Sequence, residues 1–146
     1  MKSLSLQANR SALWALFALV ASTTPAFAVN VLTATPSSVT LTCSTTTGPG
    51  ASANVVVKPV TALTGSSTIV VTVGSIGSGL VVTAPASTTL NSTNSTTGLT
   101  YTVRVANGCS GASTGAPTFR FSAGGTPDVT VTANVTVTRS EEHTSE

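Results

Sequence analysis

Between Val29 and Thr138 the sequence has no glutamate, glutamine, histidine, methionine or tryptophan, and its only charges are Lys58, Arg104, Arg120 and Asp128. Each absence excludes something. Glu, Gln and Met are strong helix formers, so a helical frame is excluded. With one carboxylate and no imidazole there is no acid–base pair and no base to activate a nucleophile. Structural zinc wants four ligands and calcium several converging carboxylates, so no metal and no cofactor is expected. Four scattered charges make no basic stripe, which argues against nucleic acid. Over the whole 146-residue chain only 7% of residues are charged, against roughly 25% in ordinary soluble domains.

Long apolar runs are equally scarce; the single one lies near the N-terminus. Lys2 and Arg10 precede "SALWALFALVA", Ser11 to Ala21, and "STTPAFA" follows, ending with Ala26 and Ala28. A basic region, a short apolar run and an A-x-A site have the form of a secretory signal peptide cleaved after Ala28. The apolar run is about eleven residues, short of the roughly twenty that span a bilayer. Residues 1–28 are therefore expected to be a signal peptide and the product to be secreted or cell-surface, with no membrane contact after cleavage.

What remains is rich in threonine, valine, serine and glycine. β-Branched residues favour strands, and period-two alternation recurs. "SVTLTCS" sets Val39, Leu41 and Cys43 against Thr40 and Thr42; "STIVVTVG" puts Ile69, Val71 and Val73 on one face. "GLTYTVRV" does the same with Leu99, Tyr101, Val103 and Val105, and "TFRFS" with Phe119 and Phe121 around an outward Arg120. In "DVTVTANVTVT" the residues Val129, Val131, Ala133, Val135 and Val137 alternate with outward polar ones, Asp128 opening the strand. Weaker strands are "NVLTA", "NVVVKPV" and "LVVTA"; the doubled valines of the last two point to two-sided burial or a bulge. "TTTGPGASA", "TALTGSS", "GSIGSG", "NSTNSTTG", "NGCSGASTGAP" and "SAGGTP" read as turns. About seven or eight short strands with one apolar and one threonine-rich face predict an all-β, immunoglobulin-like β-sandwich over residues 29–138.

Cys43 and Cys109 are the two cysteines. In an exported chain a lone pair is most simply a disulfide. Two free thiols and a metal site are the alternatives, and the latter lacks His or carboxylate partners. The bond would close about 67 residues and contribute roughly 4 kcal/mol on the chain-entropy model.

No side chain stands out as catalytic. Lys58, before Pro59, reads as a charged edge or loop residue. Tyr101, Phe119 and Phe121 all fall on inward phases, which favours core packing over an aromatic platform for sugars. Asn91, Asn94 and Asn134 each open an N-x-[ST] sequon, but a polar loop and an outward strand position account for them, and no glycan is assigned.

"ATPSSVTLTCSTTTGPGASANVVVKP", "GLTYTVRVANGC" and "FRFSAGGTPDVTVTANVTVT" together resemble bacterial secreted immunoglobulin-like repeats, and more narrowly the BACON-like modules that open on P-S-S-V/L-T-L/F and end on V-T-V-T-V. The resemblance spans Val29 to Thr138. It departs from the antibody pattern: no Trp lies between the cysteines, and Tyr101 stands eight residues before Cys109 rather than two. It carries over no catalytic residue. It implies a non-catalytic spacer or adhesion module near the N-terminus of a longer multidomain exported protein, with neighbouring repeats or extracellular polymers as partners. An accessory domain of an extracellular hydrolase, carbohydrate-binding in one form, is the alternative reading; a fibre subunit joined by edge-strand addition is a third.

The ending "RSEEHTSE", Arg139 to Glu146, holds three of the four acidic residues and the only histidine, His143. A solvated terminal charge run is one reading. The eight residues also match, codon by codon, the in-frame translation of a sequencing-library adapter, AGA TCG GAA GAG CAC ACG TCT GAA. Residues 139–146 are therefore expected to be a non-native tail, and the chain a fragment of a longer one.

Overall fold

The structure, a computed structural model, describes residues 31–139. The expected signal peptide with Ala26 and Ala28, and residues 140–146 of the tail, lie outside the described residues. Ten strands run in chain order: β1 (Leu32–Thr35), β2 (Ser38–Ser44), β3 (Gly48–Pro49), β4 (Ala53–Pro59), β5 (Ile69–Gly74), β6 (Leu80–Thr83), β7 (Thr89–Leu90), β8 (Leu99–Val105), β9 (Thr118–Ala123) and β10 (Val129–Thr138). Eight have four residues or more; β3 and β7 have two. Among the described residues a single 3-10 turn, Asn107–Cys109, follows β8.

Two sheets face each other, ordered β1-β4-β8-β6 and β3-β2-β10-β9-β5-β7. The first sheet and the β10-β9-β5 part of the second repeat the A-B-E-D and G-F-C orders of an immunoglobulin sandwich. β1 and β2 follow one another in the chain but belong to different sheets. After the cis Thr35–Pro36 bond the chain leaves the first sheet and β2 pairs parallel with β10, Ser38 opposite Thr132 through Ser44 opposite Thr138.

The alternation read from the sequence is the alternation of burial. Val39, Leu41 and Cys43 are buried while Ser38, Thr40 and Thr42 are exposed. Leu99, Tyr101, Val103 and Val105 are buried on β8, and Val131, Ala133 and Val135 on β10. Strand side chains alternate faces, so one face can supply the core while the other keeps its hydroxyls in water. At the centre Tyr101, Phe119 and Phe121 are fully buried. Tyr101 and Phe121 have ring centroids 4.7 Å apart, and Phe119 meets Phe121 edge-on at 5.6 Å. The Tyr101 hydroxyl donates to the Val71 carbonyl at 3.3 Å, a bond from one sheet to the other.

Three details correct the sequence reading. The doubled valines mark no bulge: β4 pairs with β8 from Ala53–Val103 to Val57–Leu99 without interruption. β6 pairs with β8 as evenly, from Leu80–Val105 to Thr83–Thr102. On β4, Val55 and Val57 are buried whereas Val56 is half-exposed. Lastly, the stretch after Cys109 is more than a turn. Gly115 exchanges backbone hydrogen bonds with Val135 at 3.0 and 2.8 Å, and Ala133 N–H donates to Pro117 O at 2.8 Å. That segment thus pairs with the half of β10 that β9 does not reach.

The register fixes the poles. Leu32, Pro59 and Leu99 lie at one end, where the described chain enters; Ser44, Val105 and Thr138 lie at the other, where it leaves. Residues 32–44 run from pole to pole, up to about 40 Å at 3.3 Å per residue.

Candidate interaction surfaces

Of the four charges of the domain, Arg120 and Asp128 form an ion pair, while Lys58 and Arg104 lie apart from them. Lys58 is exposed on β4, near the entry pole, and lines a shallow cleft of about 280 Å³ with Pro59, Val60, Ala62, Ser95 and Thr96. The edge expected for Lys58 is not what it occupies, because β4 is paired on both sides, by β1 and β8. Arg104 lies on β8 near the exit pole and donates through Nη1 to Asn107 Oδ1 at 2.7 Å. Arg120 is on the other sheet, where it pairs with Asp128 at 3.3 Å and also bonds Ser75 Oγ. Asp128 does not begin the last strand; it precedes β10 by one residue, and its carboxylate turns to Arg120. The cleft therefore holds one titratable group, Lys58, and no partner for proton transfer.

The other reactive side chains are structurally employed. Burial raises the Tyr101 phenol above its ordinary pKa of 10.0, and its hydroxyl is engaged with Val71. Ser95 is buried; its Oγ accepts the Leu63 N–H at 3.0 Å. Cys43 and Cys109 form a disulfide with Cα atoms 5.9 Å apart. It joins β2, in one sheet, to the turn after β8, in the other. Among the described residues no three of His, Cys, Asp and Glu come together as a metal site. No described helix is long and apolar enough to cross a membrane.

The sequon asparagines have a role that the sequence reading missed. Asn91 Oδ1 accepts from Thr93 N at 2.9 Å and Asn94 N at 3.2 Å, and Asn94 Oδ1 accepts from Asn91 N at 2.8 Å. Asn94 Nδ2 donates to Thr89 O at 3.0 Å. The two side chains close the turn before β8, and the signal was the asparagine spacing itself, since Asn side chains bond to backbone two or three residues on. Asn134 is exposed on β10, opposite Thr40.

The surfaces left are the two outer faces and the sheet edges. On the six-stranded face, Thr40, Thr42, Asn134, Thr136 and Thr138 form an uncharged array across β2 and β10. Along β2, Thr132 N–H donates to Ser37 O and Thr45 N–H to Thr138 O, so odd-numbered backbone groups face β10. Even-numbered groups face outward, and β3 meets only Cys43 and Ser44 there, with Gly50 N–H on Thr42 O. The backbone of Ser38 and Thr40 is left without a neighbouring strand. Neither the edge strands β1, β3, β6 and β7 nor the partly uncovered β2 carries a charge, although charged edges are a common guard against edge pairing. Exposed apolar side chains are few; Val31 and Val60 sit together at the entry pole, Val60 N–H bonded to Val31 O at 2.8 Å.

A solved structure of domains 4 and 5 of the S-layer protein SbsC is similar to this chain at 21% identity and a TM-score of 0.44, covering 73% of this chain and 51% of that one. The chain thus spans about half the length of that structure. No family model matches the chain, and no curated protein matches it.

Proposed function

We propose that residues 29–138 are a non-catalytic spacer or adhesion module of an exported bacterial protein, cleaved from its signal peptide after Ala28 and continued by further domains in the whole protein. The observation that carries this reading is the pole-to-pole path of the chain. Entry at Leu32 and exit at Thr138 lie at opposite ends of the sandwich. Modules joined through such ends line up along one axis, each adding its own length. A disulfide within a small sandwich fits an oxidising, extracellular setting, and the hydroxyl-rich faces keep a chain of little charge in water.

The test is geometric. Duplicating residues 31–138 within the full chain should lengthen the particle by one domain, up to about 40 Å at strand rise, in small-angle scattering. A second copy that folds back and leaves the maximum dimension unchanged would overturn the spacer reading. Polysaccharide pull-down separates the hydrolase-accessory alternative, for which the buried Tyr101, Phe119 and Phe121 offer no sugar platform. Reading the gene beyond position 138 from an independent library discriminates further. β-Rich repeats there support the spacer; a domain with paired carboxylates or a Ser/His/Asp set supports the accessory domain.

A further inference from the structure

We propose that Asn107 is a site of self-modification, where its side-chain amide is displaced by the Gly108 backbone nitrogen, leaving aspartate or isoaspartate beside Arg104. Five asparagines lie among the described residues, and four are poorly placed for this chemistry. Asn54 and Asn134 sit within strands and are followed by the branched Val55 and Val135. Asn91 and Asn94 are locked in the turn before β8, each Oδ1 accepting backbone N–H groups.

Asn107 lies outside the strands, at the start of the 3-10 turn after β8, and its Oδ1 accepts from a side chain and not from backbone N–H. It precedes a glycine, and both residues are exposed. Gly108 N–H makes no hydrogen bond among the described residues. A Cβ built on Gly108 would meet nothing within 4 Å, so no side chain crowds this glycine on that side. Arg104 Nη1 donates to Asn107 Oδ1 at 2.7 Å, and that oxygen is where negative charge develops when a nucleophile adds to Cγ. A guanidinium already in place there stabilises the adduct as an oxyanion-hole donor does.

The step balances without an oxidant. The Gly108 nitrogen bonds to Asn107 Cγ, the Cγ–Nδ2 bond breaks, and ammonia leaves carrying the proton lost from Gly108. Water then opens the five-membered imide. Cleavage of its Cγ–N bond gives aspartate; cleavage at the main-chain carbonyl gives isoaspartate, with one added backbone methylene between β8 and Cys109. Either product sets a carboxylate against Arg104, which has no ion-pair partner among the described residues.

The full disulfide-bonded chain is incubated at mildly alkaline pH, then reduced and cut with chymotrypsin. Cleavage after Tyr101 and Phe119 yields a peptide in which Asn107 is the only asparagine. That peptide should gain the amide-to-acid mass increment severalfold faster than the peptides holding Asn54, Asn91, Asn94 and Asn134, and should split into two forms. The form from Asn107→Asp marks the aspartate product. Arg104→Ala should slow conversion severalfold and Arg104→Lys restore part of it. Were Arg104 only a tether, its removal would free the side chain and speed the reaction. Conversion no faster than at the other asparagines, or faster in Arg104→Ala, overturns the proposal.

Discussion

The two ends of β8 are held by different means. Before Leu99 the chain is fastened by hydrogen bonds that are nearly all local: Asn91 and Asn94 close their own turn, and Gly98 N–H reaches Asn94 O at 2.7 Å. A single long-range bond, Ser95 Oγ to Leu63 N–H, ties that turn to the neighbouring loop. After Val105 the fastening is covalent and distant, Cys109 to Cys43 across 66 residues of sequence. Local contacts close small loops and cost little chain entropy, whereas contacts across long loops cost more. The pole that must bring distant segments together is the one that carries the disulfide.

The largest expected effect breaks the covalent end. Replacing Cys43 and Cys109 together by alanine should cost about 4 kcal/mol, read as a lower urea midpoint. A loss no larger than that of the entry-pole variant would erase the contrast. Next, Ser95→Ala removes the one long-range bond of the entry turn and leaves the Leu63 N–H buried and unpaired, at a cost of about 1–3 kcal/mol. Hydrogen exchange should show faster opening at Leu63 and unchanged protection around Cys109. Loss of protection at both poles would mean that β8 transmits the damage and the ends are not independent.

The smallest effect lies midway, at Tyr101. Tyr101→Phe forfeits the bond to Val71 O, about 0.5–1.5 kcal/mol, and changes the response to alkali. Burial raises the phenol's pKa in the folded state, so the folded chain holds that proton more tightly than the unfolded one. The contribution is full below the ordinary value of 10.0 and is lost as pH climbs from there through the higher folded value. Stability of the parent chain should therefore fall above that pH, and the fall should flatten in Tyr101→Phe. An identical alkaline limb in both would show that Tyr101 does not carry it.

Much of the fold was legible in the residues because a strand's period is two and the core is one face. Alternation puts Val39, Leu41, Tyr101, Phe119, Phe121 and Val131 inward, and each is buried. What alternation cannot give is a neighbour. The pairing of β2 with β10 is parallel and spans nearly the whole domain in sequence, and nothing local to either strand announces it. The same limit misplaced Lys58, whose charge resembles an edge residue's although β4 has partners on both sides. It also hid the pairing of Gly115 with Val135, since a run of glycine, serine and threonine has turn chemistry whether or not it joins a ladder. The surfaces were the least legible part. A row of outward threonines looks the same on an edge strand as on a central one.

By itself the sequence determined the class of the fold and its core: β-branched alternation puts the valines of each strand on one face, and that face is the buried one. Tertiary structure alone decided the rest. It placed Leu32 and Thr138 at opposite poles, left the backbone of Ser38 and Thr40 without a neighbouring strand, turned two asparagines into the fastening of one turn and set Arg104 on a third. These depend on which strands lie side by side, and that is settled by long-range pairing and the packing of two sheets, which no local period encodes.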